Sequence, residues 1–193
     1  MTGQNGSQKH SKAESVDREG ETDGFIPPMA YMPQVLDGGY TRIEISAPPS
    51  RLGFLHQKLV SLLEGPLKLR YLRLTDRTRG QLPKPESYVA VELSKERVLQ
   101  ACEVCTDLFY HDGRHQLWIR GASDEQIVLD ELGMIYIYPD DFLFRDTLES
   151  LGWIEAKHES MSSRDYVKVH FSVHADEEEQ LLLQSLGMVR WEG

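Results

Sequence analysis

Cys102-Glu103-Val104-Cys105, with His111 and His115 close behind, is the stretch of this chain best equipped to hold a metal ion or exchange a disulfide. Thiolates and imidazoles bind zinc when four of them converge tetrahedrally. The gap of five residues between Cys105 and His111 is much shorter than a zinc-finger spacer. Redox pairs of this spacing usually open a helix, whereas Val98, Cys102, Cys105 and Phe109 recur as the apolar face of one helix. Free cysteine on such a face behaves as a small hydrophobe, so the pair reads as core and no metal is assigned. Asp140-Asp141, after Tyr138-Pro139, could hold catalytic metal ions as paired carboxylates. A helix is expected to follow directly, and there the two acids serve as caps at its positive end. No Ser-His-Asp pattern, nucleotide-binding glycine loop or HExxH is present, and His56, His158, His170 and His174 stand singly. No catalytic residue and no cofactor is therefore assigned, and the expectation is a protein that is not an enzyme.

The basic run carries more information. Lys68, Arg70, Arg73, Arg77, Arg79 and Lys84 fall within 17 residues. On a strand, Lys68, Arg70 and Leu72 share one face and Leu67, Leu69, Tyr71 and Arg73 the other. Arginine forks suit carboxylates and phosphates. A sheet that binds RNA adds exposed aromatics for stacking. Tyr71 and Tyr88 are candidates, but the net charge of −10 weighs against nucleic acid. That charge is unevenly spread: −3 over residues 1–39, +4 over 40–120 and −11 over 121–193. Such polarity can orient a partner or join two halves of an assembly.

The elements that must position these residues follow from patterning. Residues 1 to about 24 are polar and read as a disordered tail. From Phe25 to Val35, Phe25, Ile26, Met29, Tyr31 and Met32 lie among Pro27, Pro28 and Pro33, which excludes a long helix. This segment is expected to lie extended on its own domain, a partner or a sister subunit, with a hinge at Gly38-Gly39. Residues 40–121 then read as strand, helix, strand, strand, helix, strand. The first helix carries Leu52, Leu55, Leu59, Leu62 and Leu63, and Ser94 caps the second. A long polar loop is expected around Gly80, Pro83 and Pro85. Ser123 and Gln126 have capping-box spacing, predicting a short linking helix. Residues 122–193 repeat the order, with strands at Met134–Tyr138, Trp153–Lys157, Tyr166–Val173 and Val189–Trp191. Leu132-Gly133, Leu151-Gly152 and Leu186-Gly187 mark helix-to-strand steps. The expected fold is α+β: tandem ferredoxin-like (βαββαβ) units with antiparallel sheets and a flexible arm over 1–39.

Ser46 to Leu55, with Arg51 and Gly53 at its helix start, resembles the strand-to-helix junction of ACT-type regulatory domains, and the element order of 40–120 is similar to theirs. Leu52 stands where that family usually has proline. The resemblance implies a small-ligand site using Arg51 and Gly53, frequently for an amino acid. By packing alone, Gly53 permits close helix-to-sheet packing.

No apolar run approaches the roughly 20 residues of a membrane helix, and no signal sequence opens the chain, so cytoplasm is expected. The leading expectation is a protein-protein interaction or regulatory protein. Phe25, Ile26, Met29 and Tyr31 would dock its arm, and Arg70, Arg73, Arg77, Arg79 and Lys84 would meet an acidic surface. A ligand sensor and a nucleic-acid-binding protein are the alternatives.

Overall fold

A computed structural model describes residues 11–168 and 172–192. Expectations for residues 1–10, for His170 and for the part of a strand at 169–171 lie outside the described residues.

Strands β1 (Ala13–Ser15), β2 (Ala30–Val35) and β3 (Thr41–Ser46) precede helix α1 (Pro49–Val60). Strands β4 (Leu67–Asp76) and β5 (Gly80–Leu93) follow, then helices α2 (Lys95–Val104) and α3 (Thr106–His111). Next come β6 (His115–Arg120), β7 (Gln126–Leu129), β8 (Ile135–Tyr138) and α4 (Phe142–Ser150). The chain closes with β9 (Ile154–Glu155), β10 (Tyr166–Lys168), α5 (Val173–Ser185) and β11 (Val189–Trp191).

Local chemistry accounts for most boundaries. Pro49 sits in the first turn of α1, where its missing N–H costs nothing, and Leu52, Leu55, Leu59 and Val60 form the buried stripe. Ser94 Oγ accepts the Arg97 N–H at 3.3 Å to start α2, and Asp141 accepts the Leu143 N–H at 2.8 Å to start α4. The single helix expected through Cys102 and Phe109 is two, because Cys105 leaves helical geometry at φ −96°, ψ 46°. Two of the Leu-Gly steps do end helices: Gly152 and Gly187 follow α4 and α5 at positive φ. Gly133 instead closes the turn between β7 and β8.

The sheet departs from the tandem expectation. Nine strands form one mixed sheet in the order β11-β5-β4-β6-β7-β8-β3-β2-β9, and β1 and β10 form a separate pair. A ferredoxin-like unit would set β3 between β5 and β6. Here β3 lies between β2 and β8, so the α+β class holds while the two-unit pairing is not displayed. The cause is β7. Where a short linking helix was expected from Ser123, residues Gln126–Leu129 form a strand, in which Ile127, Val128 and Leu129 prefer the pleat and Gln126 pairs opposite Arg120. Strand β7 then pairs with β8, and β8 with β3, which fuses residues 40–121 and 122–193 into one sheet. The expected polar loop at 80–87 is the first half of β5, paired back to Asp76.

The arm is also built in. Strand β2 pairs with β3 along its whole length, from Ala30↔Ser46 to Val35↔Thr41. From Ser11 on, the expected tail has structure as well, with Lys12, Ala13 and Ser15 buried.

Helices α1, α2, α3 and α5 lie over one face of the sheet, where Tyr31, Ile43, Ile45, Leu69, Tyr71, Leu117, Ile119, Ile127 and Ile137 join the core. Trp153 fills the space under α4, its indole N–H donating to the Ser46 carbonyl at 2.8 Å. A satellite core of Ala13, Leu132, Met134 and Met161, with Phe25 and Tyr136 against it, holds the N-terminal segment. No helix among the described residues is long and apolar enough to cross a membrane.

Candidate partner-binding site

The charge polarity of the sequence is partly consumed inside the fold. Arg73 reaches across to α5, with Nη2 2.8 Å and Nε 2.9 Å from the Glu179 carboxylate, which also accepts the Tyr71 hydroxyl. Arg77 Nε donates to Asp176 at 2.6 Å, and buried Arg114 holds Asp112 at 2.7 Å and also bonds Asp176. Arg79 pairs with Asp76 at 3.1 Å. The basic β4–β5 hairpin is therefore clamped to the acidic last helix. Bidentate geometry at low exposure makes Arg73–Glu179 the strongest link.

Arg70 is different. On β4 it faces away from the helices, with Trp118 opposite on β6 and Val89 opposite on β5. Trp191 of β11 leans over from beyond β5. The Arg70 guanidinium carbon lies 5.8 Å from the Trp118 ring centre and 5.2 Å from that of Trp191. Its Nε donates to Ser87 Oγ at 2.8 Å, which orients the fork. The Trp118 indole N–H is held by Gln116 Oε1 at 3.1 Å. Among the described residues, neither Arg70 nor Lys68 has a carboxylate partner, while Arg73, Arg77 and Arg79 on the same hairpin all do. Arg120, beside Lys68, is shared with exposed Asp124.

These residues enclose an open hollow of about 420 Å³, floored by Val89, Ala90 and Val91 and walled by the two tryptophans, with Lys68, Arg120 and Gln126 at its margin. The lining holds no acid, histidine or cysteine. It suits capture of an oxyanion by a fixed fork beside an apolar or planar group.

Of the residues expected to bind, Arg70 stands at the centre of this hollow and Lys84 is exposed on the hairpin. Arg73, Arg77 and Arg79 are occupied within the chain. Tyr31 is fully buried and donates its hydroxyl to Glu149 at 2.7 Å, so it is core. Phe25 lies in the satellite core with the Arg164 guanidinium 4.4 Å above its ring; Met29 packs on the main core, and Ile26 is exposed. Gly53 lies against Tyr110, where a β-carbon would come within 3.1 Å of the ring, and Arg51 stacks over Phe54. That contact between α1 and α3 explains Gly53 by packing.

Both cysteines are buried thiols, pushed up to about 12 by burial, in keeping with a core role. Asp140 pairs with Arg145 and Asp141 caps α4. Among the described residues one group could hold a metal ion, Asp107, His174 and Glu178; Glu178 already accepts the Leu108 N–H at 2.7 Å at the start of α3.

Sequence reasoning missed Trp118 and Trp191. Alternation in β6, with Leu117 and Ile119 inward, is a signal that turns Trp118 outward. For Trp191 there was none, since its place depends on β11 joining β5. Set against protein-family models, curated proteins and solved structures, the chain matches none of them.

Proposed function

We propose that this chain is a non-enzymatic binding protein whose receptor surface is the outer sheet face around Arg70, and that its partner is a protein segment carrying carboxylates beside apolar side chains. The observation that supports this reading is the Arg70 guanidinium, which has no carboxylate partner among the described residues, held between Trp118 and Trp191. An arginine already stacked and hydrogen-bonded loses little freedom on binding, and tryptophan with arginine is the usual composition of an interface hot spot. Exposed Val91 and Val189 extend the apolar surface around it. Free thiols at Cys102 and Cys105 suit a reducing compartment, and we place its action in the cytoplasm.

Intrinsic fluorescence tests this directly. Trp153 is buried and the other two tryptophans line the hollow, so a bound segment changes emission from Trp118 and Trp191. Titration with peptides alternating Glu and Leu is expected to give a saturable change that Arg70→Met weakens by at least about tenfold, the loss of a charge-assisted pair. Equal binding by wild type and variant would remove the support for this reading.

A second reading is favoured by the two indole faces among three cations: a single-stranded nucleic acid stacking on the tryptophans. It calls for oligonucleotide binding that weakens steeply with salt, and the same fluorescence signal separates the two.

A further inference from the structure

Asp107, His174 and Glu178 come from two helices that meet, α3 and α5, and their ligand atoms lie within 4.8 Å of one another. His174 and Glu178 are four residues apart at the start of α5, so they share one helix face, and Asp107 in the first turn of α3 is set against it. His174 Nε2 stands 3.6 Å from Glu178 Oε1 and 3.8 Å from Asp107 Oδ2. On the other side of the ring, Nδ1 faces Glu177 Oε2 at 3.5 Å. Among the described residues no lysine or arginine pairs with these three carboxylates. Asp176 and Glu179 on the same helix are matched instead by Arg77, Arg114 and Arg73.

Glu178 separates this cluster from a solvated acidic turn. Its side chain is only 10% exposed. Oε2 is fixed by the Leu108 N–H at 2.7 Å, and that bond turns Oε1 toward His174. A contact of 3.6 Å is too long for a hydrogen bond, so a nearly buried carboxylate oxygen aims into the cluster with no bonded partner there. An ionised oxygen in that position is costly unless a cation meets it. Burial, and after it the Asp107 charge, push the Glu178 carboxyl up from its ordinary value, although the Leu108 N–H acts the other way.

We propose that Asp107, His174 and Glu178 form a site for a divalent transition-metal ion, zinc by ligand type, that staples α5 to α3. One imidazole and two carboxylates are zinc donors, and three protein ligands leave a fourth position for water. Magnesium and calcium take oxygen ligands and have no use for the imidazole. With zinc bonds near 2.0 to 2.1 Å, the donors of a tetrahedron stand roughly 3.4 Å apart. Small rotations of the exposed His174 and Asp107 side chains close the observed gaps to that value. Glu177 then holds the imidazole from behind, the carboxylate–histidine–metal arrangement that orients a ligating ring. Helix α5 runs through Gly187 into β11, so the staple also steadies the element that carries Trp191.

Calorimetric titration of the native chain with zinc tests this. One saturable site is expected, and an excess of magnesium is expected not to displace the metal. Asp107→Asn and His174→Ala alter exposed side chains, and circular dichroism checks that each variant keeps the fold. Each is expected to weaken zinc binding at least about tenfold. Cobalt in place of zinc is expected to give the visible absorption of a four-coordinate site in the wild type and to lose it in His174→Ala. At about 100 times its Kd, zinc is expected to raise the wild-type Tm by about 5 °C and to leave that of the double variant unmoved. No saturable binding tighter than about 1 mM would overturn the proposal. Equal affinities in wild type and variants would also overturn it, since they would mean an adventitious ion only.

Discussion

Replacing Lys12 with Met separates the charge of this residue from its shape. Burial pulls the Lys12 amine from an ordinary 10.5 down to about 8. The native state therefore prefers the neutral amine, and between about pH 8 and 10.5 the unfolded chain binds more protons than the folded one. Stability from this group accordingly rises with pH across that window. At 1.36 kcal/mol per pH unit, the buried charge costs about 3 kcal/mol at pH 7 and less than about 1 kcal/mol by pH 10. Met keeps the stem and removes the charge, so the variant lacks this dependence. Asp130, pushed up to about 7 by burial, loses a favourable cation in the variant and rises further, which moves the difference in the same direction. Urea unfolding followed by circular dichroism at pH 7 and pH 10 measures it. Wild type is expected to gain on Lys12→Met by about 2 to 3 kcal/mol between the two values, while the titrations of all other groups cancel in the comparison. Parallel pH profiles for the two proteins would refute the reasoning, because they would mean that Lys12 is solvated.

Glu179→Gln removes the carboxylate that Arg73 and Tyr71 share while Arg73 keeps Glu86 at 3.2 Å; it should cost about 1.5 to 3 kcal/mol in urea unfolding, the loss of charge-assisted hydrogen bonds. Gly53→Ala gains about 1 kcal/mol of helix propensity in α1 but pushes a methyl group to 3.1 Å from the buried Tyr110 ring; the clash should cancel that gain, so Tm should not rise as it would for the same change at an open helix site. Cys102 and Cys105 should resist a thiol reagent at pH 8 until the protein unfolds, since burial keeps both thiols protonated; fast labelling of the native chain would contradict their placement.

Much of the local structure was legible in the residues. The period of Leu52, Leu55 and Leu59 marked α1, Ser94 and Asp141 marked two helix starts, and the alternation around Ile43 and Ile45 marked β3, because caps and amphipathic periods act over a few residues. Gln126 to Leu129 misled. A capping-box spacing pointed to helix, and the edges of β6 and β8, more than four residues away, drew the segment into the sheet. The hollow was half legible. Arg70 stood out by type and strand face, but its isolation shows only beside Arg73 and Arg77, whose acids arrive from α5.

The α+β class, most element positions and a cationic run over 68–84 are written in the residues themselves, all short-range consequences of side-chain shape and charge. Tertiary structure alone decided which strands are neighbours, which arginines are neutralised, and that a lysine in an expected tail lies in the interior. The decisive contacts join residues about a hundred positions apart, such as Ile43 with Ile137 in the sheet and Arg73 with Glu179. Pairing over such distances depends on how whole faces fit together, which no local pattern encodes.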